Sequence, residues 1–325
     1  MLPNGRRLGA HLPLGHGMVK AADRAAEIGA SALQVFSDNP TSWRRRPTLP
    51  PELPWFRERL GEHGIAPLAI HAPYLVNLAG PDPEMHRRSV EVLANELRVA
   101  HAYGATFLNV HIGSHRGDGP AAGTERLATG LRDVVRAVDG AAPDVVLVLE
   151  NGSGGGFGLG ATIEELHAID QAIAATGLDH ALFGFCLDTA HLWGAGYPID
   201  TAAGVDATLD ALDARLGLGR LRMVHLNDSR AERGSHDDRH EHVGAGRIGG
   251  GGLGRMIAHP GLDHVTYYLE TPGMEEGYDA VNIARVRDLA DGRPLADLPA
   301  AAFHARSSKG RSAPAEDGPV AGGDG

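Results

Sequence analysis

The sequence of 325 residues has one cysteine and no long apolar run. A lone cysteine, Cys186, excludes an internal disulfide and is typical of a protein of the reducing cytoplasm. No segment approaches the ~18 consecutive apolar residues of a membrane-spanning helix, so we expect no membrane partner. The opening residues, Met1-Leu-Pro-Asn-Gly-Arg-Arg, lack the apolar stretch of a signal peptide. These absences predict a cytoplasmic protein.

Positive charge is also scarce. There are 30 Lys and Arg residues against 41 Asp and Glu residues, which gives a formal net charge of -11. A protein that binds nucleic acid through its phosphates is normally basic, so this charge argues against a broad basic DNA-binding surface. Bound divalent metal ions can supply a positive field locally.

The motifs of nucleotide cofactors are missing as well. No G-x-G-x-x-G opens a helix after the first predicted strand, and Gly152–Gly160 lacks the Gly-Lys-Ser/Thr ending of a phosphate loop. We therefore expect no nucleotide cofactor and interpret the glycine-rich stretch as a flexible loop. From about Ala300 the composition turns to Ser, Gly, Ala, Pro and Asp, and Ser307–Gly325 is predicted to be disordered. We divide the chain into a catalytic domain, residues 1–299, and a disordered tail, residues 300–325.

The chain alternates short apolar strands with amphipathic helices. The predicted strands are Arg7–His11, Ala32–Phe36, Pro67–His71, Thr106–His111, Val145–Glu150, Leu182–Asp188, Leu221–His225 and Val265–Glu270. The predicted helices are His16–Ile28, Pro51–Glu62, Asp82–Tyr103, Gly123–Val138, Thr162–Ala175, Asp206–Leu216, Leu253–Ala258 and Tyr278–Leu289. The clearest helix has Asp82 as its capping residue and Gly104 after its end. Eight such units predict the α/β class and a single β/α (TIM-type) barrel with a parallel sheet.

Histidine and acidic residues end the third to eighth predicted strands. They are His71, His111, Glu150, Asp188, His225 and Glu270. His191 follows in the loop after the sixth strand. Asp238 and His240 lie two residues apart after the seventh strand, where an extended backbone points both side chains the same way. The carboxyl ends of barrel strands converge on the face that carries active sites, so these side chains are expected to meet.

Each of these residues alone has an ordinary structural explanation. A histidine at a strand end is often a hydrogen-bonded rim residue, and an acidic residue there can cap the following helix. Four carboxylates on one rim, however, would repel one another unless cations neutralised them. Imidazoles mixed with carboxylates are ligands for Zn²⁺, and also for Mn²⁺ or Fe²⁺. The pattern therefore predicts a multinuclear metal site.

Several segments resemble the signature segments of the endonuclease IV family. They are Gly9-Ala-His11, Phe36-Ser-Asp-Asn-Pro-Thr-Ser-Trp43, His71-Ala-Pro-Tyr-Leu-Val-Asn-Leu-Ala, Glu150-Asn, Phe185-Cys-Leu-Asp-Thr-Ala-His191, His225-Leu-Asn-Asp-Ser and Asp238-Arg-His-Glu-His-Val-Gly-Ala-Gly. They occur in the family's order between about Leu8 and Leu289. The resemblance implies a zinc-dependent repair enzyme that cuts double-stranded DNA 5′ to abasic sites, leaving a 3′-hydroxyl and a 5′-deoxyribose phosphate.

The resemblance also implies three zinc ions per chain. The implied ligands are His71, His111 and Glu150 for the first ion; Glu150, Asp188, His225 and Glu270 for the second; and His191, Asp238 and His240 for the third. Glu150 bridges the first two ions and is the candidate catalytic residue, with proton acceptance as a further role. No covalent protein intermediate is needed, and Cys186 is interpreted as a buried packing residue.

Recognition of DNA is implied by residues near the second and third strands. A nucleotide without a base is the cheapest one to take out of the stack, because its pairing is already lost. By the resemblance, Asn39 and Trp43 belong to a loop that enters the minor groove, and Tyr74 stacks beside the gap. Rim packing for Trp43 and a hydrogen-bonded position at the barrel mouth for Tyr74 are the alternatives.

One position departs from the family. Thr41 stands where the family commonly has Arg or another long polar side chain that fills the space of the flipped nucleotide. Arg44, Arg45 and Arg46 follow, and they are candidates for DNA contacts, with a solvated charge run as the alternative.

Two other functions stay open. Sugar isomerases or epimerases of the xylose isomerase-like barrels can use a Glu, Asp, His, Glu metal set, and the four residues assigned to the second ion would serve one. Such an enzyme has no evident need for the other five metal-type residues. A non-catalytic DNA-binding homologue is the third possibility, although loss of the metal set would be its expected mark. We expect the protein to act as a monomer.

Overall fold

Short parallel strands form the centre of the structure. The structure is a computed structural model that describes residues 1–305. In chain order the strands are β1 (Arg7–His11), β2 (Ala32–Val35), β3 (Leu68–His71), β4 (Phe107–His111), β5 (Val146–Glu150), β6 (Phe183–Asp188), β7 (Leu221–His225), β8 (Asp228–Ser229), β9 (His240–Glu241) and β10 (Thr266–Leu269). All except β8 and β9 belong to one closed barrel, which confirms the predicted fold.

The barrel closes where β1 pairs with both β2 and β10. Gly9 is opposite Ala32 on one side and Tyr268 on the other. A Cβ atom on Gly9 would lie 2.5 Å from the carbonyl oxygen of Ala32, so only glycine fits this approach. Cys186 lies in the barrel interior as predicted, where burial raises the pKa of its thiol to about 11.

Helices cover the outside of the barrel. They are α1 (Met18–Glu27), α2 (Leu53–His63), α3 (Pro83–Tyr103), α4 (Pro120–Val138), α5 (Ile163–Ala175), α6 (Thr189–Gly194), α7 (Ala202–Arg215), α8 (Gly249–Ala258) and α9 (Tyr278–Ala290). The Asp82 side chain accepts a hydrogen bond from the Met85 amide at 2.9 Å at the start of α3. Gly104 ends the same helix with a φ of 73°. Both features agree with the sequence prediction.

Several elements were not predicted fully. The short helix α6 carries His191, which the sequence placed in a loop, because six residues are too few to show a helical period. Helix α8 begins four residues before the predicted Leu253, within a run of glycines that disfavours a helix. The two-residue strands β8 and β9 pair with each other outside the barrel.

The folded part of the chain continues past residue 299. Ala300–His304 form a 3₁₀ turn, and Ala302 is buried against the barrel. The boundary drawn at 299 thus comes about one turn too early, because the buried helix-end contact has no sequence period. Residues 306–325, including the predicted disordered segment Ser307–Gly325, lie outside the described residues. Within residues 1–305, no helix combines the length and apolar character needed to cross a bilayer.

We expect Asp82→Ala to lower the free energy of unfolding by about 1 kcal/mol, because the Met85 amide loses its capping acceptor. Urea unfolding of the metal-free protein measures this change. Asp82→Ser is the matched control, since a serine hydroxyl also caps helices and should retain most of the stability. An equal loss in both variants would show that the cap contributes nothing.

Candidate metal centre

The nine predicted metal-type side chains meet at the carboxyl ends of the barrel strands. His71, His111, Glu150, Asp188 and His225 are the last residues of β3 to β7, and parallel pairing brings these ends to one face. Glu270 directly follows β10, and the remaining three residues come from α6 and from the segment that ends in β9. Eight of them form three adjoining groups whose ligand atoms lie within 4.8 Å of one another, and the ninth, Asp238, contacts one of these groups.

The first group consists of His71, His111 and Glu150. The Nε2 atoms of both histidines lie 3.6 Å from Oε2 of Glu150. Glu150 and His71 are buried, whereas His111 is half-buried at the rim. The group therefore lies at the edge of the barrel mouth with one side open toward solvent.

The second group consists of Glu150, Asp188, His225 and Glu270. Nδ1 of His225 is surrounded by carboxylate oxygens: Oε2 of Glu150 at 3.5 Å, Oε2 of Glu270 at 3.6 Å and Oδ2 of Asp188 at 3.9 Å. These separations exceed hydrogen-bond lengths, and they are the spacing of ligands around a shared cation rather than of bonded pairs. Glu150 belongs to this group and to the first.

The third group contains Asp188, His191 and His240, and Asp238 adjoins it. The two carboxylate oxygens of Asp238 lie 3.1 Å from Nε2 of His191 and 3.1 Å from Nε2 of His240. Nε2 of His240 is also 3.3 Å from Oδ2 of Asp188. Asp188 therefore lies between the second and third groups, whereas the sequence assigned it to the second alone.

Buried polar atoms at this mouth lack hydrogen-bond partners within residues 1–305. They are Oε1 of Glu150, Nδ1 of His225 and Nε2 of His240. Buried polar atoms are nearly always satisfied in folded proteins, so three at one point indicate a missing positively charged partner. Imidazole nitrogens and carboxylate oxygens are the donor set of zinc and related divalent ions. The residues present fit such ions.

The electrostatics of the mouth favour positive charge. Burial alone would raise the pKa of the Glu150 carboxyl, yet the imidazoles of His225 and His111 hold this pKa well below its ordinary value. Burial would likewise lower the pKa of His240, but Asp188 and Glu270 raise it to about 9. Both shifts arise because imidazoles and carboxylates share one buried space.

Backbone carbonyls orient three of the imidazoles. Through Nδ1–H, His71 donates to the Ala72 carbonyl at 2.7 Å, His191 to Asn151 at 2.8 Å and His240 to Glu270 at 2.8 Å. Each ring therefore presents Nε2 to the carboxylates, as expected for ligands fixed by a second layer of hydrogen bonds.

Asparagine amides orient the carboxylates, and the sequence analysis missed them. Asn109 donates to Oε2 of Glu150 at 2.6 Å, and Asn227 donates to Oδ2 of Asp188 at 2.9 Å. The Asn227 oxygen also accepts the amide of Glu270 at 2.8 Å. Asn227 occurs in the His225-Leu-Asn segment, but only the folded structure shows what its amide does.

The predicted DNA-contacting residues border the first group. Tyr74 is 36% exposed, and its ring centroid lies 5.6 Å from that of His71 and 5.8 Å from that of His111. Its amide donates to the carbonyl of Pro40 at 3.2 Å, which ties it to the segment between β2 and α2. The Tyr74 side chain is thus partly exposed beside the candidate metal ligands.

The segment between β2 and α2 is folded onto itself. Oδ1 of Asn39 accepts hydrogen bonds from the amide and the hydroxyl of Thr41, both at 2.9 Å. Trp43 is half-buried against the core, with the Arg88 guanidinium 5.4 Å from its ring. Rim packing is therefore an observed role of Trp43, and Thr41 points back to its own loop.

Arg45 differs from its two neighbours, and its position corrects the expectation of a direct DNA contact. It donates to Oε1 of Glu96 at 3.2 Å and to the carbonyl of Asn39 at 2.8 Å, and its side chain is 10% exposed. Glu96, on α3, is buried. Arg44 and Arg46 are exposed, and Nε of Arg46 lies 3.4 Å from Oδ1 of Asp38. The sequence analysis treated the three arginines alike, as candidates for DNA contacts or as a solvated charge run, because sequence spacing does not reveal the distant partner Glu96.

Comparison with known proteins agrees with this geometry. A family model described as a xylose isomerase-like TIM barrel matches residues 22–305. A protein of Methanoculleus marisnigri named probable endonuclease 4 is 40% identical over 283 residues, covering 87% of this chain and 98% of that protein. The chain belongs to the endonuclease IV family.

Comparison with solved structures distinguishes the endonuclease IV family from other proteins that share the barrel fold. The crystal structure of endonuclease IV from Thermus thermophilus superposes with a TM-score of 0.76 at 38% identity, covering 88% of this chain and 99% of that one. A D-tagatose 3-epimerase-like protein reaches a TM-score of 0.64 at 18% identity, covering 88% and 97%. The epimerase likeness shows a shared barrel only, so the endonuclease IV family is the closer relationship.

We expect Arg45→Met to destabilise the metal-free protein by about 3 kcal/mol near neutral pH, because the Glu96 carboxylate loses its buried counter-charge. Burial raises the pKa of Glu96, and the bonds from Ser37 and Arg45 oppose that rise. Without Arg45 the pKa of Glu96 rises further. At lower pH the Glu96 carboxylate is therefore protonated, which removes its unpaired charge. The destabilisation should therefore be larger at pH 8 than at pH 5.

Urea unfolding of the wild type and the variant at both pH values measures this difference. Arg44→Met is the matched control. Because Arg44 is exposed, the same change there should lower the free energy of unfolding only slightly at either pH. A destabilisation of Arg45→Met that is the same at pH 5 and pH 8 would contradict the ion-pair explanation.

Proposed function

We propose that this protein is a DNA-repair endonuclease that hydrolyses the phosphodiester bond 5′ to abasic sites in double-stranded DNA with a trinuclear zinc centre. The observation that carries the proposal is that eight ligand-type side chains meet in three adjoining groups at one barrel mouth, with Asp238 in contact with one of them. The second support is membership of the endonuclease IV family, with relatives named probable endonuclease 4. We expect a 3′-hydroxyl and a 5′-deoxyribose phosphate as products.

Each group would hold one ion. When bound, paired divalent metals lower the pKa of a water and stabilise the attacking and leaving oxygens of a phosphodiester. Glu150 is shared between the first and second groups, so we assign it as the bridging ligand and as the catalytic residue through that position. Zinc suits the mixture of histidine and carboxylate ligands, and manganese or iron accept the same donors.

The residues around the mouth would bind the DNA. Tyr74 is partly exposed beside His71 and His111, where a base next to the gap would stack on its ring. The Thr41 side chain is folded onto Asn39, so it does not extend to fill the space of a displaced nucleotide. Asn39 and Trp43 would shape the loop, and the exposed Arg44 and Arg46 would meet phosphates. This arrangement needs few basic residues and agrees with the acidic net charge.

A sugar epimerase is the second candidate. The observation in its favour is that the second group alone contains the Glu, Asp, His, Glu set, on a fold shared with a D-tagatose 3-epimerase-like protein. The first and third groups, with five further ligands, have no evident use in that reaction. A homologue that binds DNA without cutting it is the third candidate, and the experiment below separates all three.

Zinc-loaded protein should cut a duplex that contains one abasic site, on the 5′ side of that site, and leave an intact duplex uncut. Removal of metal by a chelator should abolish incision, and added zinc should restore it. Glu150→Gln should retain binding of the abasic duplex but lose more than the ~100-fold in rate that loss of an outer-shell partner costs. Gel analysis of labelled products and metal analysis of the purified protein measure both effects.

Glu164→Gln on the exposed surface of α5 is the matched control, and it should cut at the wild-type rate. Binding of the abasic duplex without incision by fully zinc-loaded wild type would favour the non-catalytic homologue. Turnover of ketose sugars without incision would favour the epimerase.

The exposed arginines should contribute salt-dependent binding. For Arg44→Ala/Arg46→Ala, the slope of log K against log salt should become shallower by about 2, because each phosphate contact contributes about 0.9. Filter binding or fluorescence anisotropy on an abasic duplex over a range of salt concentrations measures this slope. Arg136→Ala/Arg215→Ala, at exposed positions near the carboxyl ends of α4 and α7, is a control with the same charge change, and an equal decrease there would indicate net charge rather than contact.

A further inference from the structure

We propose that Gln34 is a positioning residue that fixes the ring tautomer of His225 and the carboxylate orientation of Glu270. This inference rests on the proposed function, because it treats both residues as ligands of the second group. Gln34 lies on β2, a strand that carries none of the nine candidate ligands. It is completely buried inside an otherwise apolar strand, and no part of the sequence analysis singled it out.

The amide of Gln34 contacts three side chains of the site. Nε2 lies 2.7 Å from Oε1 of Glu270 and 3.0 Å from Nδ1 of His11, and Oε1 lies 3.0 Å from Nε2 of His225. One amide hydrogen is bonded to Glu270 and the amide oxygen to His225, while Nδ1 of His11 also lies 3.3 Å from Oε1 of Glu270. A buried amide bonded on both sides in this way is held in one orientation.

The orientation of this amide follows from charge. A carboxylate only accepts hydrogen bonds, so the NH₂ group of Gln34 must face Glu270, and the amide oxygen is left facing His225. An amide oxygen also only accepts. Nε2 of His225 must therefore carry a proton, and Nδ1 is the ring nitrogen left to meet a metal ion among the carboxylates.

His225 is in this respect the opposite of three other imidazoles of the site. His71, His191 and His240 donate Nδ1–H to backbone carbonyls and present Nε2. His225 presents Nδ1, and a side chain rather than the backbone sets its tautomer. The tautomer of His225 can therefore be changed by one substitution, which is not possible where a carbonyl determines it.

The same amide orients Glu270. With Oε1 bound to Gln34, the second oxygen, Oε2, lies 3.6 Å from Nδ1 of His225. One glutamine thus places a nitrogen lone pair and a carboxylate oxygen at the same point in the second group. Loss of such an outer-shell partner typically costs 10–100-fold in metal affinity.

Gln34→Met, which keeps the side-chain length and removes both hydrogen-bonding groups, tests this role. Zinc-loaded protein is mixed with a colorimetric chelator, and the release of each bound ion is followed. We expect one of the three ions to be released about 10–100-fold faster than in the wild type, with the other two unchanged. Gln171→Met, the same change at the other glutamine of the chain, is exposed on α5 and should release zinc at the wild-type rates.

Proton NMR of the His225 ring in zinc-loaded protein provides an independent readout. We expect the Nε2–H proton to resonate at low field and to exchange slowly with solvent in the wild type, because it is bonded to Oε1 of Gln34. In Gln34→Met this proton should move to higher field and exchange faster, while the ring signals of His71, His191 and His240 stay in place. A structural role alone would move all four rings.

A His225 Nε2–H proton that exchanges as fast as an exposed one in the zinc-loaded wild type would overturn the proposal, whether or not the variants fold. Unchanged zinc release by Gln34→Met would also overturn it. Failure of the proposed function would look different: zinc-loaded wild type would leave abasic DNA uncut, while its zinc release and its His225 signal still responded to Gln34→Met.

Discussion

Repulsion among buried carboxylates is the constraint on which the rest of this structure depends. Glu150, Asp188, Asp238 and Glu270 lie within one small region at the barrel mouth, and three of them are almost completely shielded from water. Such charges are tolerated only where positive charge and hydrogen-bond donors are held close to them. Hydrogen-bond donors come from the imidazoles and from the amides of Asn109 and Asn227. The proposed metal ions would supply the positive charge. A fold with a less rigid mouth would separate the carboxylates instead.

The barrel and the site residues could be predicted because both depend on local patterns. Short apolar strands and amphipathic helices have distinct periods, and a strand end is readable to within a residue. Asp188 shows the limit of prediction from local patterns. It accepts the amides of Ala190 and His191 at the start of α6, so it caps the helix that brings His191 back over the mouth. The sequence shows the residues of this turn but not its path, and so the place of Asp188 between two groups was not predicted.

Gln34 and Arg45 could not have been interpreted correctly from the sequence. A glutamine within an apolar strand predicts nothing specific, and an arginine within a run of three predicts solvent exposure. Their partners, Glu270 and Glu96, lie 236 and 51 positions away in the chain. Long-range polar pairs of this kind leave no period in the sequence, although they decide which side chains face the site and which are held inside.

The short turn at Ala300–His304 has a consequence for how the protein tolerates change at its end. Nε2 of the buried His242 donates to the carbonyl of Ala302 at 3.0 Å, and Asn282 on α9 donates to the other ring nitrogen at 2.9 Å. His242 is two residues beyond His240, on the segment that carries the third group. The last described turn of the chain is thus fastened to the mouth, so shortening or re-routing it would loosen a ligand strand, and the two regions must evolve together.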